Sequence, residues 1–341
     1  MYFVKELIEV NKFENIKNMI GYTPMLEIIF DYKGKEMRIF AKAEYYNLSG
    51  SIKDRVAYYI LRQAYENGTI NQGDVICEAT SGNTGIAFSA MASYLGHKSV
   101  IYMPDWMSKE RINLMRSFGA EVILVSKEEG GFLGSIAKSE EYAKHNNAFL
   151  PGQFSNYDNV ITHIKFTGSE ILEQLHRINR IPDGVVAGVG TGGTIMGLAK
   201  AFKSANPACK AFPLEPLNSP TLSTGTKTGK HRIAGISDEF IPSICKLNEL
   251  DSIVSVDDID SIIMAQKLSR ELGIGVGISS GANFIGSIMA LNTIGSDKTV
   301  VTVFADDNKK YLSTDYANEW VQKDEYISSH VKFKGLVAHK F

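Results

Sequence analysis

Residues 47–55 read NLSGSIKDR, and the lysine in this stretch, Lys53, opens a run in which apolar residues recur at helical spacing. A lysine on the first turn of a helix meets the positive end of the helix dipole, which disfavours a second positive charge. An amine that has lost its proton is a nucleophile and can form a Schiff base with an aldehyde. A lone lysine flanked by Asp54 and Arg55 is more often a solvated surface residue, so its role depends on motifs elsewhere in the chain.

The composition excludes several classes of protein. The chain has 341 residues, 44% of them hydrophobic and 22% charged, which is typical of a soluble globular protein with one or two domains. A formal net charge of −2 provides no basic field, so nucleic acid is not expected as a partner. No apolar run approaches the ~18 residues of a membrane span. The first 18 residues are predicted to form a short amphipathic helix rather than a signal peptide.

The cysteines favour neither a metal site nor disulfides. Cys77, Cys209 and Cys245 lack the spacing of metal ligands, so no metal is predicted. A reducing cytoplasm fits this usage. Cys77 lies in the apolar run VICEA and is predicted to be a core residue rather than a nucleophile.

Short apolar runs alternate with helical patterns along most of the chain, which predicts an α/β fold with mainly parallel sheets. Strands are predicted at residues 37–43, 75–79, 99–103, 121–125, 184–187, 211–214, 253–256 and 299–304. Helices are predicted at residues 51–67, 84–95, 109–118, 131–146, 160–178, 194–204, 259–272 and 282–291. Residues 216–235 lack periodicity, and a loop of that length inside a compact domain is usually functional.

Three glycine-rich turns each follow a predicted strand and precede a predicted helix. They read TSGNTG at 80–85, GVGTGGT at 188–194 and GISSG at 277–281. In an open parallel sheet such turns gather at the carboxyl edge, where ligands bind. The hydroxyls and amides of the first turn suit a carboxylate at a helix N-terminus.

The second turn leaves two interpretations open. Its GVGTGG core fits a dinucleotide-binding turn, with Glu215 at roughly the expected distance for a ribose contact. A dinucleotide site normally uses the first strand of its unit, however, and this turn lies past the middle of the chain. Its hydroxyl-rich sequence favours a terminal phosphate over NAD.

Taken together, these motifs resemble those of the fold-type II pyridoxal-phosphate enzymes of the cysteine synthase and cystathionine β-synthase family. The motifs follow the family's order from IGYTP at 20–24 to YLST at 311–314. The resemblance implies a tryptophan synthase β-like α/β fold: two open, mainly parallel twisted sheets flanked by helices, with pyridoxal 5'-phosphate in the cleft between two domains. A smaller, mobile domain is expected over residues 46–156, and a larger one over residues 1–45 plus 157–341.

The resemblance also implies roles for individual residues. Lys53 would bind the cofactor covalently as the internal-aldimine lysine and act as general base, and Asn83 would contact the phenolic oxygen of the ring. Ser279 would face the pyridine nitrogen, and its neutral hydroxyl would favour loss of a β-substituent over racemisation or transamination. The cofactor phosphate would be held by Gly190, Thr191, Gly192, Gly193 and Thr194. The substrate carboxylate would be held by Thr80, Ser81, Gly82, Thr84 and Gln153.

The reaction implied is β-replacement at a three-carbon amino acid. The cysteine synthase form makes L-cysteine and acetate from O-acetyl-L-serine and sulfide through an aminoacrylate intermediate. In the segment GISDEFIP at 235–242, Asp238 and Glu239 stand where many cysteine synthases carry small uncharged residues. They are either a solvated loop tip or residues that handle the acceptor. In the second case cysteine would release sulfide and yield serine, lanthionine or cystathionine.

Two other functions remain as alternatives, a serine or threonine dehydratase and an NAD-dependent dehydrogenase. The resemblance further implies a homodimer in the cytoplasm that acts on small molecules, without nucleic-acid or membrane partners. His163 is expected to support the site rather than react. Asp306 and Asp307 are expected either to line the site or to form a turn.

Overall fold

The computed structural model describes residues 12–341 and divides them into two compact units. The smaller unit comprises residues 12–21 and 46–159, and the larger unit comprises residues 22–45 and 160–341. The amphipathic helix predicted for the first 18 residues lies mostly outside the described residues, although residues 12–17 are helical.

The elements within residues 12–341 are numbered in chain order. The strands are β1 (Met25–Tyr32), β2 (Lys35–Ala43), β3 (Ile76–Ala79), β4 (Ser99–Pro104), β5 (Glu121–Val125), β6 (Gly184–Gly188), β7 (Lys210–Pro216), β8 (Val254–Val256), β9 (Val300–Phe304) and β10 (Val331–His339). The α-helices are α1 (Lys53–Glu66), α2 (Asn83–Leu95), α3 (Lys109–Ser117), α4 (Gly131–Asn146), α5 (Asp158–Thr162), α6 (Ser169–Arg177), α7 (Gly193–Ala205), α8 (Thr221–Thr224), α9 (Asp258–Leu272) and α10 (Ile278–Ile294). A π-helix spans His163–Gly168, and 3-10 turns occur at Glu44–Tyr46, Leu247–Glu249, Asn308–Tyr311, Asp315–Ala317 and Ile327–His330.

The smaller unit is built on a parallel sheet of three strands in the order β3-β4-β5. Its strands β3 and β4 are buried along their whole length, as expected for strands covered on both faces. Ile86 of α2, Ile101 of β4 and Met115 of α3 meet in one apolar cluster. Because β3 leads into α2 through residues 80–82, this turn lies at the carboxyl edge of the sheet.

Residues 12–21 pack in the smaller unit, so the predicted boundary that placed residues 1–45 in the larger domain is wrong for this segment. Phe13, Ile16 and Ile20 are buried in one cluster with residues of α1 and α2. The apolar face of this segment is buried against α1, and neighbours in the sequence do not determine that partner.

The larger unit is built on a sheet of seven strands in the order β10-β1-β2-β9-β6-β7-β8. The strands from β2 to β8 in this order are parallel, whereas β1 pairs antiparallel with both β2 and β10. Asn283 of α10 joins two of the central strands. It accepts from the N–H of Gly188 at 2.8 Å and donates to the carbonyl of Val303 at 2.7 Å.

The two antiparallel strands at the sheet edge, β1 and β10, were not predicted from the sequence. Lys33 and Gly34 connect β1 to β2 as a two-residue turn, with φ of +52° and +81°. Left-handed pairs of this kind match the twist of a hairpin. The Lys-Gly pair between two apolar runs was therefore a usable hairpin signal.

The single helix predicted for residues 160–178 is divided in three by the π-helix. A π-turn widens the helix locally, and such turns are frequent at functional sites. Gly168 ends the π-helix where a Cβ would lie only 2.5 Å from the Cβ of Ala201 in α7. The close approach of these two helices is a tertiary feature that helical periodicity does not encode.

Candidate active site

Lys53 is the first residue of α1, and its backbone N–H donates to the hydroxyl of Ser51 at 3.2 Å. Asp54 accepts from the backbone N–H and the hydroxyl of Ser49, at 2.9 and 2.6 Å. Asp54 and Arg55 are both buried, and Lys53 is half-buried. Lys53 therefore does not belong to a solvated surface segment, because its helix start is held by a buried carboxylate.

The turn at residues 80–84 carries the predicted carboxylate site. Thr80 and Thr84 are buried, and the N–H of Gly82 donates to the Thr80 hydroxyl at 3.0 Å. Because α2 begins at Asn83, its first N–H groups point out of the helix end, an arrangement that binds carboxylates. A Cβ at Gly82 would lie 2.6 Å from the Cδ of Arg111, a residue that the sequence analysis did not single out.

Gln153 lies against this turn within the smaller unit. Its side-chain oxygen accepts from the Thr84 hydroxyl at 2.6 Å, and its side-chain nitrogen donates to the carbonyl of Ala79 at 2.8 Å. A primary amide has two N–H donors. The second donor of Gln153 is the one that a substrate carboxylate would need.

Glu78 also holds this turn, although none of the sequence motifs pointed to it. Its carboxylate accepts from the N–H of Ala79 at 2.9 Å and from the N–H of Gln153 at 3.2 Å. Burial raises the pKa of Glu78 to about 7, against the lowering effect of these hydrogen bonds. An acid inside the buried strand ICEA was the signal that could have identified it.

The turn at residues 190–194, called here the phosphate cup, leaves β6 and enters α7. Gly192 has φ +84°, and a Cβ there would lie 2.5 Å from the Cβ of Cys245. A Cβ at Gly190 would lie 2.5 Å from the carbonyl oxygen of Gly235. Side chains are thus excluded at these positions, so backbone groups and a helix N-terminus line the turn. This arrangement fits a phosphate group.

Two hydroxyls complete the phosphate cup. Thr191 accepts from the N–H of Gly193 at 3.3 Å, and the Thr194 hydroxyl lies 3.3 Å from Nε2 of His163. His163 is fully buried in the π-helix, with Nδ1 at 3.0 Å from the Thr167 hydroxyl. This placement agrees with the supporting role expected for His163 from the sequence.

The sequence predicted a loop at Ser279, ahead of a helix that begins at residue 282. In the structure Ser279 instead lies in the first turn of α10. The N–H of Gly277 donates to the Asp306 carbonyl at 3.0 Å, and the Tyr311 hydroxyl donates to the Asp306 carboxylate at 2.6 Å. Asp306 therefore holds the backbone just before Ser279. Asp307 instead caps a 3-10 turn through its side chain.

Asp238 and Glu239 have different surroundings. The Glu239 carboxylate pairs with the Lys227 ammonium group at 3.3 Å, and both side chains are partly exposed. The backbone carbonyl of Asp238 accepts from the Thr221 hydroxyl at 3.4 Å. Asp238 directly follows Ser237, which is buried and has φ +55°.

Glu215 is fully buried and is used within the fold. Its carboxylate accepts from the N–H groups of Leu222 and Ser223, at 2.7 and 3.2 Å, and from the Ser255 hydroxyl at 3.0 Å. It holds the start of α8, so it does not serve as the ribose-binding acid of a dinucleotide site.

The cysteines are free and buried, and burial raises the pKa of the Cys77 thiol to about 12. In the part of the chain that the structure describes, no cluster of three ligating side chains could hold a metal ion. No helix among residues 12–341 has the length and apolar character needed to cross a bilayer.

The structure divides the predicted site residues between the two units. The smaller unit carries Lys53, Thr80, Ser81, Gly82, Asn83, Thr84 and Gln153. The larger unit carries Gly190, Thr191, Gly192, Gly193, Thr194, Asp238, Glu239 and Ser279. Thr84 and Gln153 are in direct contact, and the phosphate cup is preformed within its own unit.

A close-packed glycine turn that fits a phosphate and a lysine at a helix start are compatible with an α/β enzyme that uses a phosphorylated aldehyde cofactor. Comparison with known families agrees, because the model of the pyridoxal-phosphate dependent enzymes matches residues 16–306. The chain belongs to this family, and its cofactor is pyridoxal 5'-phosphate. The NAD-dependent alternative is thereby excluded.

Relatives place the chain in the same family as the cysteine synthases. A probable cysteine synthase of Bacillus subtilis (strain 168) is 40% identical over 302 residues, which cover 88% of this chain and 96% of the relative. The crystal structure of a hydrogen sulfide-producing enzyme from Fusobacterium nucleatum is 58% identical, with a TM-score of 0.95 over 97% of this chain and 99% of that one. An aspartate-to-asparagine mutant of a hydrogen sulfide-producing enzyme, also 58% identical, was solved in complex with an α-aminoacrylate intermediate, with a TM-score of 0.94 over 96% and 99% of the two chains.

Proposed function

We propose that the residues of the two units divide the work on cofactor and substrate. Lys53 would hold the cofactor through its side-chain amine, and the phosphate cup would bind the cofactor phosphate. Asn83 would contact the phenolic oxygen of the cofactor, and Ser279 would face its pyridine nitrogen. The turn at residues 80–84 binds the substrate carboxylate. The geometry that supports this assignment is the close-packed glycine turn at the start of α7 and the helix start at Asn83.

We further propose that the enzyme consumes L-cysteine, releases sulfide and adds water to give L-serine. The observation that carries this proposal is the 58% identity to a hydrogen sulfide-producing enzyme, against 40% to a probable cysteine synthase. The acid at Asp238 supports it, because water has to lose a proton when it adds, whereas hydrogen sulfide is a much stronger acid and is already partly ionised at neutral pH. The overall reaction balances, because cysteine and water contain the same atoms as serine and hydrogen sulfide.

The bound cofactor supplies the electron sink that makes the α-proton acidic and the β-substituent a leaving group. The Lys53 amine removes the α-proton from C2 and then returns a proton there. The turn at residues 80–84 holds the substrate carboxylate while the C–S bond breaks. Asp238 accepts a proton from the water molecule while the water oxygen forms the bond to C3.

The proposal is tested by measuring sulfide release and serine formation separately. The purified enzyme is given L-cysteine alone, and sulfide and serine are followed against time. Asp238→Asn is expected to release about one sulfide per active site at the normal rate, after which turnover slows about a hundredfold, the scale typical for loss of a general base. Glu239→Gln is the matched comparison, and it keeps full turnover because Glu239 is paired with Lys227 at the surface.

The opposite direction is tested with O-acetyl-L-serine and sulfide. If cysteine forms efficiently from these substrates while cysteine alone yields no sulfide, the enzyme is a cysteine synthase and the proposal is wrong. Formation of pyruvate or 2-oxobutyrate as the main product would instead identify a dehydratase.

The assembly and location of the enzyme also remain proposals. We infer a homodimer in the cytoplasm from the family resemblance. Light scattering coupled to size-exclusion chromatography measures the mass directly. A mass near that of one 37.6 kDa chain would contradict the dimer.

A further inference from the structure

Ser237 has a backbone conformation that is uncommon for a residue with a side chain. Its φ of +55° lies in the left-handed region, and its exposed fraction is 6%. Residues other than glycine hold such a conformation only where the surrounding structure supports it, and these positions concentrate at functional sites. Ser237 directly precedes Asp238, the residue proposed to activate the acceptor.

All three polar groups of Ser237 are hydrogen-bonded to other segments of the larger unit. Its N–H donates to the carbonyl of Val189 at 2.8 Å, immediately before the phosphate cup. Its hydroxyl donates to the carbonyl of Ser219 and lies 3.0 Å from the Thr221 hydroxyl. Its carbonyl accepts from Nε2 of His231 at 3.1 Å. These bonds hold Ser237 from three sides.

His231 donates this last bond as a neutral imidazole. Burial lowers its pKa, so the ring is uncharged near neutral pH. Donation from Nε2 to the Ser237 carbonyl requires that this nitrogen carries the proton.

The segment around Ser237 packs directly on the phosphate cup. A Cβ at Gly188 would lie 2.8 Å from the Cγ2 of Ile236, and a Cβ at Gly190 would lie 2.5 Å from the carbonyl oxygen of Gly235. At Gly190 the two backbones are in direct contact, and at Gly188 the Ile236 side chain fills the space between them. A displacement of one segment is therefore transmitted to the other, as expected for a close-packed contact.

We propose that Ser237 is a positioning residue that sets the location of Asp238 relative to the phosphate cup and thereby controls addition of the acceptor. This inference rests on the proposed function, in which Asp238 takes a proton from water. Ser237 does not react. It acts because its hydroxyl and the Thr221 hydroxyl connect the Ser219–Thr221 backbone to the carbonyl of Asp238. Release of sulfide, which precedes addition of the acceptor, does not depend on it.

Two variants remove the connection in different ways. Ser237→Gly keeps the left-handed backbone accessible and removes Cβ together with the hydroxyl. Thr221→Val removes the hydroxyl at nearly constant shape, and Thr221→Ser restores it. Thr224→Val is the matched control on the same short helix, because the Thr224 hydroxyl bonds only to carbonyls of Pro220 and Thr226.

The expected result is a split between the two half-reactions. Serine formation from cysteine falls about tenfold in Ser237→Gly and Thr221→Val, the effect of roughly one lost hydrogen bond on a barrier. The initial release of sulfide stays within about twofold, Thr221→Ser recovers, and Thr224→Val behaves as wild type. Amide hydrogen exchange, measured on the cofactor-free protein, becomes faster at Ser237 and Asp238 in the two affected variants.

Three results would overturn the inference. Equal losses in sulfide release and serine formation would indicate a general structural role. Unchanged serine formation and unchanged exchange would show that the hydroxyl connection does not position Asp238. If the wild-type enzyme releases no sulfide from cysteine, the proposed function is wrong and the role of Ser237 in acceptor addition is lost with it.

Discussion

Replacement of Glu78 by glutamine is expected to change how stability depends on pH. The Glu78 carboxyl is buried in β3, and its pKa is raised from 4.5 to about 7 mainly by burial. Between these values the folded protein retains a proton that the unfolded chain has lost. The free energy of unfolding therefore falls as the pH rises through this window. The stability that the protonated Glu78 carboxyl provides relative to the ionised one is fully present below pH 4.5 and lost above pH 7.

The magnitude follows from the size of the pKa shift. At about 1.4 kcal/mol per pKa unit, the shift corresponds to a loss of about 3 kcal/mol once the group is ionised in both states. According to the linkage relation, about 2.5 kcal/mol of this loss occurs between pH 5 and pH 8. Glu78→Gln cannot ionise, so its stability relative to wild type should increase by that amount over the same range.

The measurement is urea unfolding of both proteins at pH 5, 6, 7 and 8, with the difference in unfolding free energy plotted against pH. The variant also replaces one of the two carboxylate oxygens that accept from the N–H groups of Ala79 and Gln153 by an NH2 group, which adds an offset that does not depend on pH. Glu140→Gln is the control, because Glu140 is exposed and contributes only the smallest of the effects on Glu78. Parallel curves for wild type and Glu78→Gln would refute the reasoning, because they would mean that Glu78 has an ordinary pKa.

Three further substitutions test other parts of the structure. Lys53→Ala should abolish turnover and the visible absorbance of the lysine-bound cofactor, and unchanged absorbance would contradict the assigned Schiff base. Gly192→Ala should lower cofactor affinity and destabilise the protein by about 2 kcal/mol or more, because the new Cβ clashes with Cys245 and the backbone is strained at φ +84°. Gly225→Ala is the control in calorimetry, because it introduces the same backbone strain at φ +82° but no clash, with nothing within 4 Å. Lys42→Met should lower the free energy of unfolding in urea by about 3 kcal/mol, because the Glu170 carboxylate, 2.9 Å from the Lys42 ammonium group, is left buried without its cation. A loss of less than about 1 kcal/mol, the range of exposed ion pairs, would contradict that account.

The candidate site was predictable where its chemistry is written in short contiguous motifs. A strand, a glycine turn and a helix follow one another in the chain, so TSGNTG and GTGGT are placed by local structure alone. Glu78 and His163 were harder to assign. Their functions depend on Gln153 and Thr194, which lie 75 and 31 residues away in the sequence.

The edge of the larger sheet shows the same limit. β10 pairs with β1 across about 300 residues, for example His339 with Met25. The short turn at Lys33 and Gly34 indicates a hairpin between β1 and β2, but it does not indicate a third strand beside it. Residues 12–21 likewise pack on apolar residues of α1 and α2, and this contact depends on the tertiary structure.

The sequence by itself determined the family, the cofactor and the position of Lys53 at a helix start, because these depend on residue types at fixed short spacing. Only the tertiary structure decided that Lys53 has buried neighbours, that Glu78 titrates near neutral pH, and that Asp238 is preceded by a serine held from three sides. Desolvation and hydrogen bonding are set by groups that are distant in the chain and close in space. They become known only when the packing is known.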